Sequence, residues 1–237
     1  MPTERGPLGR CLPVLLLCLP LTVLAGEREW LGLLDQATRN LQNGNVQHAE
    51  TFAREALAEA EKTFGSAHRA TDRSLSTLGL VLRFARKYEE AERVLRRALA
   101  IREKTLGAEA AETGILLNNL GDVLQARRQY REAEQLYRRV VAIFTKAHGE
   151  DPKTAAALNN LGAVLQAQDR YRDAEPLLLR SLAIKEKTLG PSHASVAHTL
   201  NNLAEVMQAL GRPEEARRMR DRALAIHAGG STPSKPH

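Results

Sequence analysis

Apolar residues recur along nearly the whole chain at the three-and-four spacing of an amphipathic helix, and no run alternates in the way a strand requires. Leu31, Leu34, Ala37 or Thr38, and Leu41 define the first such face, within a helix predicted over Glu27–Leu41. Asn43-Gly44-Asn45 breaks it. A second helix then runs Val46–Phe64 and is closed by Gly65 as a C-cap glycine would close it. The same sentence is written four more times. First helices are predicted at Arg69–Arg86, Ala111–Arg128, Lys153–Gln168 and Ala194–Leu210, and second helices at Tyr88–Leu106, Tyr130–His148, Tyr171–Leu189 and Pro213–Ala228.

Recurring strings fix the register. NNLG at Asn118–Gly121 returns at Asn159–Gly162 and as NNLA at Asn201–Ala204, and YEEAE, YREAE and YRDAE open the second helices at Tyr88, Tyr130 and Tyr171. Gly65, Gly107, Gly149 and Gly190 end successive units, 42, 42 and 41 residues apart, and the missing residue falls in the loop after Gly149. A loop deletion leaves both helical faces intact. The repeats are therefore placed at about 27–65, 69–107, 111–149, 152–190 and 193–228.

Within the units, Ala49, Ala91, Ala133, Ala174 and Ala216 recur early in the second helix, and Ala56, Ala98, Val140, Ser181 and Ala223 follow seven later. Small residues there allow close helix approach, while Leu75, Leu78 and Leu82, or Leu117, Leu120 and Leu124, fill the space. Ala53, Leu95, Tyr137 and Leu178 occupy one position, read as packing on the following repeat; Arg220 and Asp221 break the pattern in the last unit, as a polar end cap would. The first unit reads as irregular, with a one-residue slip in its turn.

Composition agrees with helix throughout: aromatic residues are only 4 %. Net charge is +6, with both signs interleaved, so nucleic acid is not an expected partner. Arg5 and Arg10 precede an uncharged, Leu-rich run from Cys11 to Gly26, and Val23-Leu24-Ala25 has the small residues of a cleavage site. Residues 1–25 are thus read as a signal peptide, short for a membrane span and interrupted by Pro13 and Pro20, which predicts an exported protein, periplasmic or secreted. The alternative is an uncleaved leader serving as a membrane anchor. Cys11 and Cys18 are the only cysteines, so cleavage leaves no disulfide, thiolate metal site or cysteine nucleophile. The tail, 229–237, lacks apolar period and is expected to be disordered.

Leu117, Leu120, Gly121, Ala133 and Tyr137, with Val140 where Ala is usual, resemble the tetratricopeptide repeat. The 42-residue spacing, the LNNLG box and the ending Ala98–Gly107, echoed by Leu182–Gly190, resemble its kinesin-light-chain variety. That resemblance implies an all-α, right-handed α-solenoid of about five helix-turn-helix units. It also implies a concave groove, lined by the first helices, that takes a peptide from a protein partner. The export leader sets this chain apart from kinesin light chains, so only the fold and binding mode carry over. Register then places Asn118, Asp122 and Gln125, Asn159 and Gln166, and Asn201, Glu205 and Gln208 in the groove, extended by Ser76, Leu80 and Arg83. A carboxamide can donate to and accept from a peptide backbone at once. The first Asn of each box is assigned to the groove; the second, Asn119, Asn160 or Asn202, lies about 100 degrees away and is assigned to inter-repeat contact.

No other constellation carries chemistry. His193 and His198 are five apart, off one helical face, and read as helix-start or surface residues. Glu89-Glu90 and Glu214-Glu215 suit helix N-termini, Trp30 reads as a packing residue, and Arg217–Arg222 as the solvated face of a cap. With no phosphate loop, nucleophile elbow or metal motif, the expectation is a non-catalytic binding scaffold without cofactor or metal. The competing expectation is a self-assembling structural component that uses its caps or convex face. Oligomeric state and partner are not legible.

Overall fold

The computed structural model describes residues 21–229; residues 1–20, most of the leader read from the sequence, and residues 230–237 of the predicted tail lie outside the described residues. Ten helices follow in order among the described residues. The first helices of the pairs are α1 (Leu21–Gln42), α3 (Arg69–Phe84), α5 (Ala111–Ala126), α7 (Pro152–Gln166) and α9 (Ala194–Ala209). The second helices are α2 (Val46–Phe64), α4 (Tyr88–Leu106), α6 (Tyr130–His148), α8 (Tyr171–Leu189) and α10 (Pro213–Gly229). Each helix packs on the next in sequence. α1 also meets α3, α3 meets α5, and α7 meets α9, whereas second helices make no equivalent contact with one another. An array of pairs in which only the first helices approach each other curves toward them, so their outward faces form its concave side.

The turns repeat with the helices. Gly44, Arg86, Arg128, Asp169 and Gly211 all have positive φ, at spacings of 42, 42, 41 and 42. The first turn therefore keeps the common register, and the slip read from the sequence does not exist. Between units, Gly65, Gly107 and Gly190 share one backbone conformation, and Thr71 and Thr113 hydroxyls donate to the Gly65 and Gly107 carbonyls at 2.6 and 2.8 Å. The shortened loop differs. Gly149 takes a different ψ, Thr154 Oγ1 has no partner, and Asp151 caps α7 by accepting from Thr154 N at 2.8 Å. α1 starts at Leu21, six residues before the predicted Glu27.

The core is a continuous seam of first-helix leucines, among them Leu78, Leu117, Leu120, Leu161 and Leu203, against the second-helix alanines. Its tightest points add to the sequence reading. A Cβ at Gly79, Gly121 or Gly162 would lie closer than 3.0 Å to Leu95, Tyr137 or Leu178, respectively. Those large residues pack into the glycine notch of their own pair, a contact the repeat register alone did not show. Where the first helix has alanine, the partner is small or turned outward: Ala37 pairs with Ala53 in register, and Ala204 with exposed Arg220.

Candidate functional site

The concave face carries the side chains that α3, α5, α7 and α9 do not spend on the core. Asn201, Glu205 and Gln208 on α9 are exposed, and Asn118, Asp122 and Gln125 on α5 are partly exposed. Ser76, Leu80 and Arg83 on α3 and Gln166 on α7 are partly exposed as well. All lie on first helices, but not all are free.

Asn159 is the clearest departure from expectation. It is 3 % exposed, and its Oδ1 accepts from Thr199 Oγ1 at 3.1 Å and from Asn202 Nδ2 at 3.2 Å. Asn118 Oδ1 likewise accepts from Asn160 Nδ2 at 3.0 Å. The asparagine boxes interlock: the second Asn of one repeat donates to the first Asn of the repeat before it. Inter-repeat contact thus takes both members of the box. Asn201 is exposed because no further helix pair packs on α9 among the described residues. Gln166 also crosses to the next unit, donating to the Asn202 carbonyl at 3.0 Å.

Between α3 and α5 the face holds a polar cluster. Tyr137 is fully buried from ring to hydroxyl beneath Gly121, and its hydroxyl reaches Asp122 Oδ1 at 2.8 Å and Gln125 Oε1 at 3.2 Å. Arg83 approaches Asp122 Oδ2 at 3.4 Å and lies over the Phe84 ring at 4.8 Å, while its Nε has no partner. Burial raises the Asp122 pKa, against the opposing pull of the Tyr137 hydrogen bond and Arg83; burial also raises the Tyr137 phenol, with Asp122 adding to it. Arg83, Asp122, Gln125, Ala126, Tyr130 and Ala167 line an open concavity of about 510 Å³. Tyr137 was invisible as a site residue because register alone assigns it to packing on the following repeat.

A second concavity, about 540 Å³, opens at the N-terminal end beside Trp30, Phe64, Arg73 and Ile115. Trp30 packs, as expected: it is 7 % exposed, donates to Ser74 Oγ at 2.8 Å and meets Phe64 edge-on. Ile115 is 46 % exposed beside it, an apolar residue open to solvent on the concave side. Ser76 is occupied, receiving Arg102 Nη2 at 2.9 Å and donating to the Asp72 carbonyl. His193 caps α9 through its ring, accepting from Ser195 N at 3.1 Å.

Four overlapping matches to the tetratricopeptide repeat model cover residues 36–104, 79–146, 112–187 and 153–228. The chain belongs to the tetratricopeptide repeat family. No curated protein matches it. Among solved structures, it is similar to kinesin-light-chain TPR-like repeats of Podosopora anserina, at 30 % identity and TM-score 0.73 over 85 % of this chain and 96 % of that one. It also resembles BtubC (BKLC) of P. vanneervenii, at 21 % identity and TM-score 0.74 over 92 % and 94 %, and the apo form of RapI, at 16 % identity and TM-score 0.75 over 85 % and 71 %. The last two likenesses speak to fold alone. Tetratricopeptide arrays generally mediate protein–protein interaction and are generally non-catalytic. Among the described residues no group of three metal-ligating side chains converges, and no helix is long and apolar enough to cross a membrane.

Proposed function

We propose that this array is an exported, non-catalytic scaffold that takes up an extended segment of a partner protein along its concave face. The observation that carries the reading is a pre-formed inner surface of first helices. On it Asn201, Glu205 and Gln208 are exposed, and the Arg83–Asp122–Gln125 cluster surrounds an open concavity. Because the helices holding these groups are fixed by the core, little ordering remains to oppose binding. The leader supports an envelope or extracellular location, and an uncleaved anchor would keep the same face available.

The self-assembly alternative has less support in its head-to-tail form. Inter-repeat ion pairs recur along the second helices and the residues just before them: Glu50–Lys87, Glu134–Arg170 and Glu175–Arg212 in one row, and Glu61–Arg97, Glu103–Arg139 and Glu186–Arg222 in another. At the C-terminal end the first row's Glu is replaced by Arg217, and at the N-terminal end the second row's Arg is replaced by Glu55. Neither end offers the charge a further repeat would meet.

The structure rules out a triple alanine variant of Asn118, Asn159 and Asn201 as a clean test, since two of these hold repeats together. The better variant is Asn201→Ala/Glu205→Ala/Gln208→Ala, all exposed. Affinity capture of partners from the protein's own exported fraction, with wild type and variant side by side, is expected to lose partners with the variant while the melting temperature is kept. An unchanged partner set for this variant and for a companion Arg83→Ala/Gln125→Ala variant would reject the concave face as the binding surface.

A further inference from the structure

By repeat register, Gly26 stands where His68, Ala110, Asp151 and His193 stand, the residue that precedes the first turn of each first helix. In the first repeat the helix does not begin there, because Leu21–Ala25 extend α1 backwards with residues of the leader. The start of the repeat domain thus coincides with the bond read from the sequence as the cleavage site. Two independent features meet at this one residue.

Gly26 is buried against α2, where a Cβ would lie 3.0 Å from Glu59 Oε1 and closer than 3.0 Å to Thr63 Oγ1. Any larger residue there would have to displace the Thr63 side chain. Glu59 is itself 8 % exposed, and its register position is Ile101, Ile143, Ile184 and Ile226 in the other four repeats, all buried apolar residues. A core isoleucine has become a carboxylate in the one repeat where it faces the beginning of the mature chain. Its present partners are the Thr63 hydroxyl at 2.8 Å and Lys62 Nζ at 3.0 Å, the latter on a side chain 74 % exposed.

We propose that cleavage between Ala25 and Gly26 creates an α-ammonium that seats on the Glu59 carboxylate and locks the first helix onto the second. Water adds across the peptide bond, catalysed by an export-pathway endopeptidase. The carboxylate departs on Ala25 and the ammonium remains on Gly26. An ammonium at a helix N-terminus is repelled by the helix dipole, and a carboxylate packed against it removes that penalty. Other charges near the new terminus are Glu27, Arg28 and Glu29 on α1, Lys62 on α2, His68, Arg69, Asp72 and Arg73 at the start of α3, and Arg102 and Glu112 on α4 and α5; Asp72 is buried as well but is paired with Arg102. Glu59 alone among them combines a carboxylate with burial against Gly26. The pairing rests on the exported reading above.

The test starts from the full chain with its leader, expressed in a secreting host and recovered from the exported fraction. Intact-mass analysis is expected to give a chain beginning at Gly26. With glycine carbon-labelled, the terminal amine should titrate above the ordinary range of about 7.7–8.0, and Glu59→Gln and Glu59→Ile should each lower it to that range or below, since the helix dipole then acts unopposed. The sign follows: an amine pKa raised by folding gives stability that is present below the ordinary range and lost as pH rises through the raised value. A chain beginning anywhere but Gly26 overturns both the pairing and the processing it rests on. A chain beginning at Gly26 whose amine titrates normally, indifferent to both substitutions, overturns the pairing and leaves export intact.

Discussion

Lys185 is buried to 5 % exposure, and its Nζ meets only Thr199 Oγ1 at 2.7 Å and the Ser195 carbonyl at 3.3 Å. In the same register position Arg102 has the Asp72 carboxylate at 2.8 Å, but the residue equivalent to Asp72 is Ala155. With no counter-charge, burial pulls the Lys185 pKa down to about 8. The unfolded chain then holds more protons than the folded one between about pH 8 and the ordinary lysine value of 10.5, so stability rises with pH across that window and is lowest at and below its foot. Lys185→Met should therefore stabilise the protein at neutral pH by up to about 3 kcal/mol and flatten the alkaline rise, as urea unfolding at several pH values would report. A second residue-scale prediction concerns the glycine notches. Gly121→Ala is expected to cost about 2 kcal/mol or more, because the Tyr137 ring fills the space. In a Tyr137→Ala background the same change should be neutral or mildly stabilising, matching the Ala37 and Ala53 pair, and a double-mutant cycle in thermal melts reads the coupling.

At the scale of the element, most of the architecture is legible in the chain. All four internal second-helix spans agree with the sequence reading at both ends, since Ala and Leu periodicity and terminal glycines act within one helix. What escaped reading depends on neighbours. The three asparagine boxes look alike as strings, yet Asn159 is buried because Thr199 covers it, while Asn201 is open because no further helix pair packs on α9 among the described residues. Tyr137 reads by position as packing on the following repeat, and only its ring, seated beneath Gly121, shows that the buried hydroxyl reaches Asp122 and Gln125. The intra-pair turns hold a further prediction. The left-handed residue is glycine in the terminal repeats but Arg86, Arg128 and Asp169 inside. Arg128→Gly should gain about 1 kcal/mol by removing the Cβ strain of that conformation, read as a higher melting temperature. Pro176 sits within α8, exposed, where Gln135 stands in α6. Pro176→Gln restores one helical hydrogen bond and should likewise raise the melting temperature, by an amount worth about 1–3 kcal/mol.

At the scale of the molecule, the repeats are joined by three systems: the leucine seam, the asparagine interlock and the ion-pair rows. The rows contribute least each, because one partner is usually well exposed; Arg170 is 41 % exposed beside Glu134. Breaking Glu134–Arg170 is expected to show a coupling of about 0.5–1 kcal/mol in a double-mutant cycle, shrinking at high salt. The rows matter more as register marks, and their charge changes at Arg217 and Glu55 set the terminal units apart from the internal ones. The array has one inner surface on which first helices from successive repeats act together, and that surface is the basis of the binding proposal. Hydrogen exchange on the mature protein, with and without its captured partner, tests it most directly. The account predicts added protection along α3, α5, α7 and α9 with α4, α6 and α8 unchanged; protection confined to the second helices or to the end faces would contradict it.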